Sequence, residues 1–163
     1  ANRVEHMYRI REMQDDATSE GRTGFTSFVS WPVQLENNAF GKRNRGSNRV
    51  ELGASSSEYL RHLAVSRLFF DNISHIQASW PTMGLEVAQI ALLGGADDAG
   101  STMMEENVVS ASGTDRTEAT EFELHRIISM AGFTPRKRDS RYNILETARL
   151  FEIEAGSPPP IQI

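Results

Sequence analysis

His75–Met104 reads HIQASWPTMGLEVAQIALLGGADDAGSTMM, and the order of its signals decides the fold class. His75 to Trp80 is a short stretch with aromatic and β-branched residues, closed by Pro81, and predicts a strand. Leu85 to Leu93 is compact and apolar, and Gly94–Gly95 supplies a C-terminal helix stop. Ala96 to Met104 then predicts a further strand, the least apolar of those in the chain. Strand, helix, strand in this order implies parallel pairing and a right-handed crossover.

The same alternation extends in both directions. Upstream, Phe25 to Trp31 (FTSFVSW) is a strand candidate closed by Pro32. Before it, Val4, Met7, Ile10 and Met13 recur at helical spacing over Asn2–Gln14, and Asp15–Gly24 is polar and glycine-containing, which predicts a loop. Leu35–Gly53 reads as a long polar loop carrying Lys42, Arg43, Arg45 and Arg49. Ser55 with Glu58 forms a capping-box pattern before a helix that should run to about Asp71, with Leu60, Leu63, Ala64 and Leu68 on one face. Downstream, Thr120 with Glu123 is a second capping box, and Gly132, Phe133 and Pro135 predict a C-cap. The chain closes in SPPPIQI, where consecutive prolines favour an extended segment.

The expected order is helix, strand, helix, strand, helix, strand, helix, an α/β chain. Parallel sheets need cover on both faces, and a complete α/β barrel takes eight strands and about 250 residues. A chain of 163 residues with three expected strands is incomplete as a barrel and unusually small as a doubly wound sheet; the family resemblance that four of its blocks carry implies a portion of a (β/α) TIM-type barrel, about its last three βα units. Residues 1–142 form this portion and 143–163 a C-terminal extension with a Pro-rich tail. The chain opens at Ala1 directly into a helical pattern. A preceding segment would explain that, and so would a processed initiator methionine.

Composition narrows the function classes. Hydrophobic residues make up 39% and charged residues 24%, a globular balance. The net charge of −5 argues against non-specific affinity for nucleic acid or anionic membranes. No apolar run is long enough to span a bilayer and no secretory signal pattern opens the chain, so a cytoplasmic location is expected. There is no cysteine, hence no disulfide, cysteine-zinc site, thiolate nucleophile or cysteine-ligated iron–sulfur cluster.

In α/β barrels, functional side chains sit at the carboxyl ends of strands and in the loops that follow. Those places hold Trp31, Pro32 and Gln34; Ser79, Trp80 and Thr82; and Ser101 through Asn107. Core packing is the plainer role for an isolated tryptophan. Yet Trp31 and Trp80 each end a strand and each precede a proline, so together they suit two aromatic walls around a planar ring. Glu105 and Glu106 suit a helix N-terminus through the helix dipole alone; the functional alternative is a carboxylate accepting hydrogen bonds from sugar hydroxyls or a purine edge. His6, His62, His75 and His125 are scattered and show no metal-ligand spacing. Asp97 and Asp98 are adjacent in a strand, face opposite ways and make no carboxylate dyad. No phosphate loop or nucleophile elbow is present. No catalytic base can be named from spacing.

Four blocks carry a resemblance: RVEHMYRIREMQDDATSEGRTGFTSFVSW (Arg3–Trp31), EYLRHLAVSRLFFDNISHIQASW (Glu58–Trp80), GADDAGSTMMEENVVSASGT (Gly95–Thr114) and AGFTPRKRDSRY (Ala131–Tyr142). Together they resemble the C-terminal half of the radical-SAM enzymes of the futalosine route to menaquinone. That family includes dehypoxanthine futalosine cyclase, aminofutalosine synthase and, as a relative, the second subunit of FO synthase. The WPVQ turn and DDAGSTMMEENVVSASG lean toward the cyclase. The basic insert at Lys42–Arg49 and the tail from Asn143 lie outside the resemblance.

The resemblance implies S-adenosylmethionine and a [4Fe–4S] cluster in the complete enzyme. The CxxxCxxC loop that holds the cluster is absent from this chain. It implies as partners the N-terminal half of the barrel, as a separate chain or the rest of a parent polypeptide, and a nucleoside-like substrate, with no nucleic acid or membrane. It implies that this chain forms one wall of the substrate chamber and is not catalytic alone. Trp31, Gln34, Ser79, Trp80, Glu105 and Asn107 are the expected substrate or cofactor contacts, with no metal ligand. The alternatives are a stand-alone, cluster-less binding or interaction protein derived from such a barrel, half of a sister enzyme, and a small α/β enzyme with its own chemistry.

Overall fold

The computed structural model describes residues 2–35, 39–43, 53–102 and 118–145. Helix α1 spans Asn2–Ser19, longer than the expected Asn2–Gln14. Polarity marked 15–19 as loop, but Ala17 is buried and the Thr18 and Ser19 hydroxyls bond back to the Gln14 and Asp16 carbonyls, which keeps the helix wound. Strand β1 is Ser27–Val29, the centre of the expected Phe25–Trp31. Helix α2, Ala39–Arg43, is a short helix inside what polarity marked as loop.

Helix α3 is Ser56–Phe69. The Ser55 hydroxyl accepts from the Glu58 N–H at 3.3 Å, but the Glu58 carboxylate pairs with Arg3 at 2.7 Å. The expected capping box is thus half-made, because a cation on α1 takes its carboxylate. The buried face is Tyr59, Leu63 and Ser66, continued by Phe70, while Leu68 is 84% exposed against expectation. The spacing of four, three and four residues obeys the helix period; Leu68 falls on the opposite side of the helix, facing solvent.

Strand β2 is His75–Gln77. It stops short of Trp80, which instead opens helix α4, Trp80–Met83, with Pro81 in its first turn. Proline lacks an N–H and is pre-set for that position, so it starts a helix here. Helix α5 is Leu85–Leu93. Its stop is as expected: the Gly95 and Ala96 N–H groups bond back to Leu92 and Ala91. Gly95 has φ +111°, and a Cβ there would lie 2.9 Å from Arg67 Cγ, so only glycine fits. Helix α6, Glu121–Met130, carries a complete Thr120–Glu123 capping box and ends in Gly132 and Phe133 N–H bonds to Ser129 and Ile128.

β1 and β2 pair in parallel, Ser27 with His75, Phe28 with Ile76 and Val29 with Gln77. The expected third strand, Ala96–Met104, is reduced among described residues to one parallel bridge between Gln77 and Asp98. Asp97 N–H bonds Ile76 O at 3.0 Å and Ala78 N–H bonds Asp98 O at 2.8 Å; Gly100, with φ +85°, then turns the chain out of the sheet. Helices and parallel strands alternate as expected.

Alternation gives the sheet two different faces. Phe28 lies 4.7 Å from Phe70, ring to ring, and Ile76 is fully buried. This is the helix-covered face. Trp80, Phe70, Leu63, Ile73 and Ile76 form its centre. Ser27, Val29, His75, Gln77 and Asp98 occupy the other face, helix-free in that no helix covers it among the described residues.

Candidate functional site

The helix-free face carries a dense polar cluster among the described residues. At its centre is Asp98, only 9% exposed. One carboxylate oxygen accepts from Arg138 Nε at 3.1 Å, Arg138 Nη2 at 2.5 Å and Tyr142 Oη at 2.6 Å. The other accepts the Gly100 N–H at 2.9 Å. Burying a carboxylate costs several kcal/mol unless its lone pairs are met, and four donors from three places in the chain meet them here. The Arg138 guanidinium also lies 4.0 Å over the Tyr142 ring, a cation–π contact.

Tyr142 is gripped on its other side by His75, whose ring stacks on it at 3.9 Å and 9°. His75 Nδ1 meets Asp97 Oδ2 at 2.6 Å. The other Asp97 oxygen pairs with Arg67 and accepts the Ile76 N–H at 2.7 Å. Asp97 and Asp98 thus bond different groups, and His75, bonded to Asp97 and stacked on Tyr142, joins the two sets. Burial, and next the hydrogen bond to Asp98, push the Tyr142 phenol up to about 12, against the smaller opposing pull of Ser27 and Arg138. It stays a neutral donor to Asp98 throughout the physiological range.

Tyr142 has φ +63°, the single non-glycine among described residues in the left-handed region. Such a conformation persists where the surroundings over-determine it. Here the Asp139 side chain accepts from the Arg141 and Asn143 N–H groups and the Asn143 amide, fixing the turn, while His75 and Arg138 fix the ring. These Asn143 bonds also hold the Asp139 carboxyl below its ordinary value. Ser27 and His75 are the first residues of their strands. The 138–142 turn therefore closes the N-terminal end of the helix-free face.

The C-terminal end holds the residues expected from sequence. Trp31 lies two residues past β1 and is 52% exposed; Val33 beside it is also exposed. Gln34 donates to Pro32 O at 3.1 Å, folding the WPVQ turn on itself. Ser79 is fully buried: its N–H is donated to Tyr59 Oη at 2.8 Å and its hydroxyl meets Thr82 at 2.7 Å. Trp80 is 2% exposed and donates its indole N–H to Ser101 O at 3.2 Å. The two tryptophans therefore differ: Trp31 presents a surface, while Trp80 is a core residue that braces the exit of the third strand segment. Glu105 and Asn107, with Met103, Met104 and Glu106, lie outside the described residues.

Sequence reasoning passed over Arg138, Tyr142 and Asp98 as a group. Arg138 and Tyr142 stood inside the AGFTPRKRDSRY block without a role, and nothing in their spacing points to Asp98, about forty residues earlier. His62 and His75 do hold structural places, against Phe28 and Tyr142. No group of three or more His, Cys, Asp or Glu among the described residues could hold a metal ion, and no described helix is long and apolar enough to cross a membrane.

Comparison with known proteins meets this geometry from outside. The chain is 41% identical over 145 residues to the cyclic dehypoxanthine futalosine synthase of Halalkalibacterium halodurans, covering 89% of this chain and 35% of that one. It is 42% identical over 146 residues to the protein of the same name from Streptomyces coelicolor, covering 89% and 33%. To the aminodeoxyfutalosine synthase of Thermus thermophilus it is 38% identical over 141 residues, covering 86% and 36%. The chain thus spans about a third of the length of these curated relatives. Residues 22–150 match the family model described as the CofH/MqnC C-terminal region, a stretch that contains both strands, the Asp98 cluster and the Arg138–Tyr142 turn. The chain belongs to the CofH/MqnC C-terminal region family.

Proposed function

We propose that this chain is the C-terminal portion of a radical-SAM enzyme of the futalosine route to menaquinone, acting on dehypoxanthine futalosine. In that enzyme it forms one wall of the substrate chamber, as the last βα units of a (β/α) barrel. The observation that carries the reading is the 41–42% identity to two cyclic dehypoxanthine futalosine synthases over 89% of the chain. The geometry supports it: among the described residues, helices cover the parallel strands on one face only, which leaves the other face for an interior. The barrel portion ends where the Arg138–Tyr142 turn closes the sheet. Residues 143–163 form an extension whose first part still falls within the family match.

The chamber wall is the C-terminal end of the helix-free face. Trp31 and Gln34 contact the nucleoside-like substrate or cofactor directly, joined by Glu105 and Asn107 from the loop after the third strand segment. Ser79 and Trp80 act from behind, holding that wall in place. Proper placement of two reactants and exclusion of water are the work such a wall performs. With no cysteine, this chain supplies none of the thiolates a [4Fe–4S] cluster needs; the cluster, which with S-adenosylmethionine supplies the radical chemistry, does not fit the residues present. The remaining part of the barrel is then the partner of this chain, and the soluble assembly is cytoplasmic.

The test is turnover by the complete enzyme, purified anaerobically. Conversion of dehypoxanthine futalosine, with about four irons per complex, is the expected result. Turnover of the aminodeoxyfutalosine synthase substrate alone would reassign the chain to that sister activity, which the 38% identity keeps close. An iron-free chain of 18.2 kDa with no partner and no turnover would leave only a binding protein.

A further inference from the structure

We infer that Tyr142 and Arg138 are positioning residues for the opposite end of the sheet, acting through Asp98 on the Gly100–Ser101 turn. A continuous line of contacts runs there from the closed end. Tyr142 Oη and Arg138 hold one oxygen of Asp98. The other oxygen holds the Gly100 N–H at 2.9 Å. Gly100 sits at φ +85°, where a Cβ would lie 3.1 Å from Gln77 Nε2 and 3.5 Å from Trp80 Nε1. The next carbonyl, Ser101 O, takes the Trp80 indole N–H.

This line matters because, among the described residues, a single bridge, Gln77 with Asp98, joins this segment to β2. Two residues past that bridge, the Gly100 N–H is donated to the Asp98 carboxylate. The Asp98 carboxylate joins the two ends, and Tyr142 and Arg138 on its far oxygen fix the orientation in which it meets the Gly100 N–H. Released by Tyr142 and Arg138, the same side chain is free to rotate toward water. The exit of the third strand segment, where barrel chemistry is organised, would then lose its anchor. Relative to the proposed enzyme, this deepens the reading: residues at the closed end set the shape of the reacting end without touching substrate.

The experiment uses the complete enzyme and the Tyr142→Phe variant, which keeps the ring between His75 and Arg138 and removes only the hydroxyl. Amide hydrogen exchange is followed at Gly100 and Ser101, with Ile76 as the internal reference. Steady-state kinetics are measured alongside. The expected result is about tenfold faster exchange at Gly100, the fold-change that corresponds to roughly 1.4 kcal/mol, with exchange at Ile76 unchanged. kcat/KM per folded enzyme falls by a similar factor, with a changed KM. If Tyr142→Phe does not fold, Arg138→Lys, which keeps the charge but loses one of two donors, gives the same readings. Unchanged exchange at Gly100 overturns the inference whatever the activity. Faster exchange spread equally over Gly100 and Ile76 overturns it as well, since that is general loosening. Faster local exchange with unaltered kcat and KM overturns the positioning role. If the wild-type enzyme turns over no substrate of the family, the proposed function fails, while the exchange arm still decides the coupling.

Discussion

Replacing Arg138 by methionine should destabilise the chain more than replacing Asp98 by asparagine, although the two residues form one ion pair. The asymmetry comes from burial. The Asp98 side chain is 7% exposed and the Arg138 side chain 23%. Arg138→Met strands a carboxylate that water barely reaches, leaving it the Gly100 N–H and the Tyr142 hydroxyl. Breaking a buried pair in this way costs ~3–5 kcal/mol, and the two surviving donors place the loss near the lower end, about 3 kcal/mol. Asp98→Asn leaves a guanidinium that still rests on the Tyr142 ring, donates to Asp139 O at 3.0 Å and turns toward solvent. Its loss should be about 1.5–2 kcal/mol, between a neutral hydrogen bond and a charged one. Because each single change removes the same pair, the double variant should lose about 1–2 kcal/mol less than the sum. Urea unfolding followed by far-ultraviolet circular dichroism, at constant m-value, measures all three. Equal losses for the two single variants, or additivity within about 0.5 kcal/mol, would refute the reasoning.

Gly95→Ala should cost about 2 kcal/mol, since φ +111° strains any side chain and the new methyl displaces Arg67; a thermal melt unchanged from wild type would contradict it. The His62 imidazole is held below its ordinary value chiefly by burial, then by Arg3. The unfolded chain therefore takes up the proton first, and stability should fall as pH drops below about 6.5; His62→Gln should flatten that part of a pH–melting profile. Trp31→Ala should leave stability within about 0.5 kcal/mol, because the ring is half-exposed, and raise KM in the complete enzyme; an unchanged KM would remove Trp31 from the chamber wall. The chain on its own, with the apolar Val29, Trp31 and Val33 open at one end of the helix-free face, should bind a hydrophobic dye. A clean monomer with a cooperative melt and no dye binding would count against an incomplete barrel.

How much of this was legible beforehand follows from range. The Gly94–Gly95 stop and the Thr120–Glu123 box are signals within a few residues, and both formed as read. The Ser55–Glu58 box uses the same local grammar, yet it is half-made because Arg3 competes from more than fifty residues away. Strand ends fail for a related reason: Pro81 was read as closing a strand, but the proline serves equally to open a helix, and a fully buried Trp80 settles which. The Asp97–Asp98 pair is the informative case. Strand alternation predicts opposite faces for their side chains but cannot say what each will meet. Asp98 meets an arginine and a tyrosine forty and forty-four residues later, and Asp97 an arginine thirty residues earlier. A buried carboxylate must be satisfied by someone; sequence states the demand, and only the folded chain identifies who answers it. For that reason Trp31 and Trp80 could be placed after their strands in advance, though which of them is buried could not be foreseen, nor could the cluster that closes the other end.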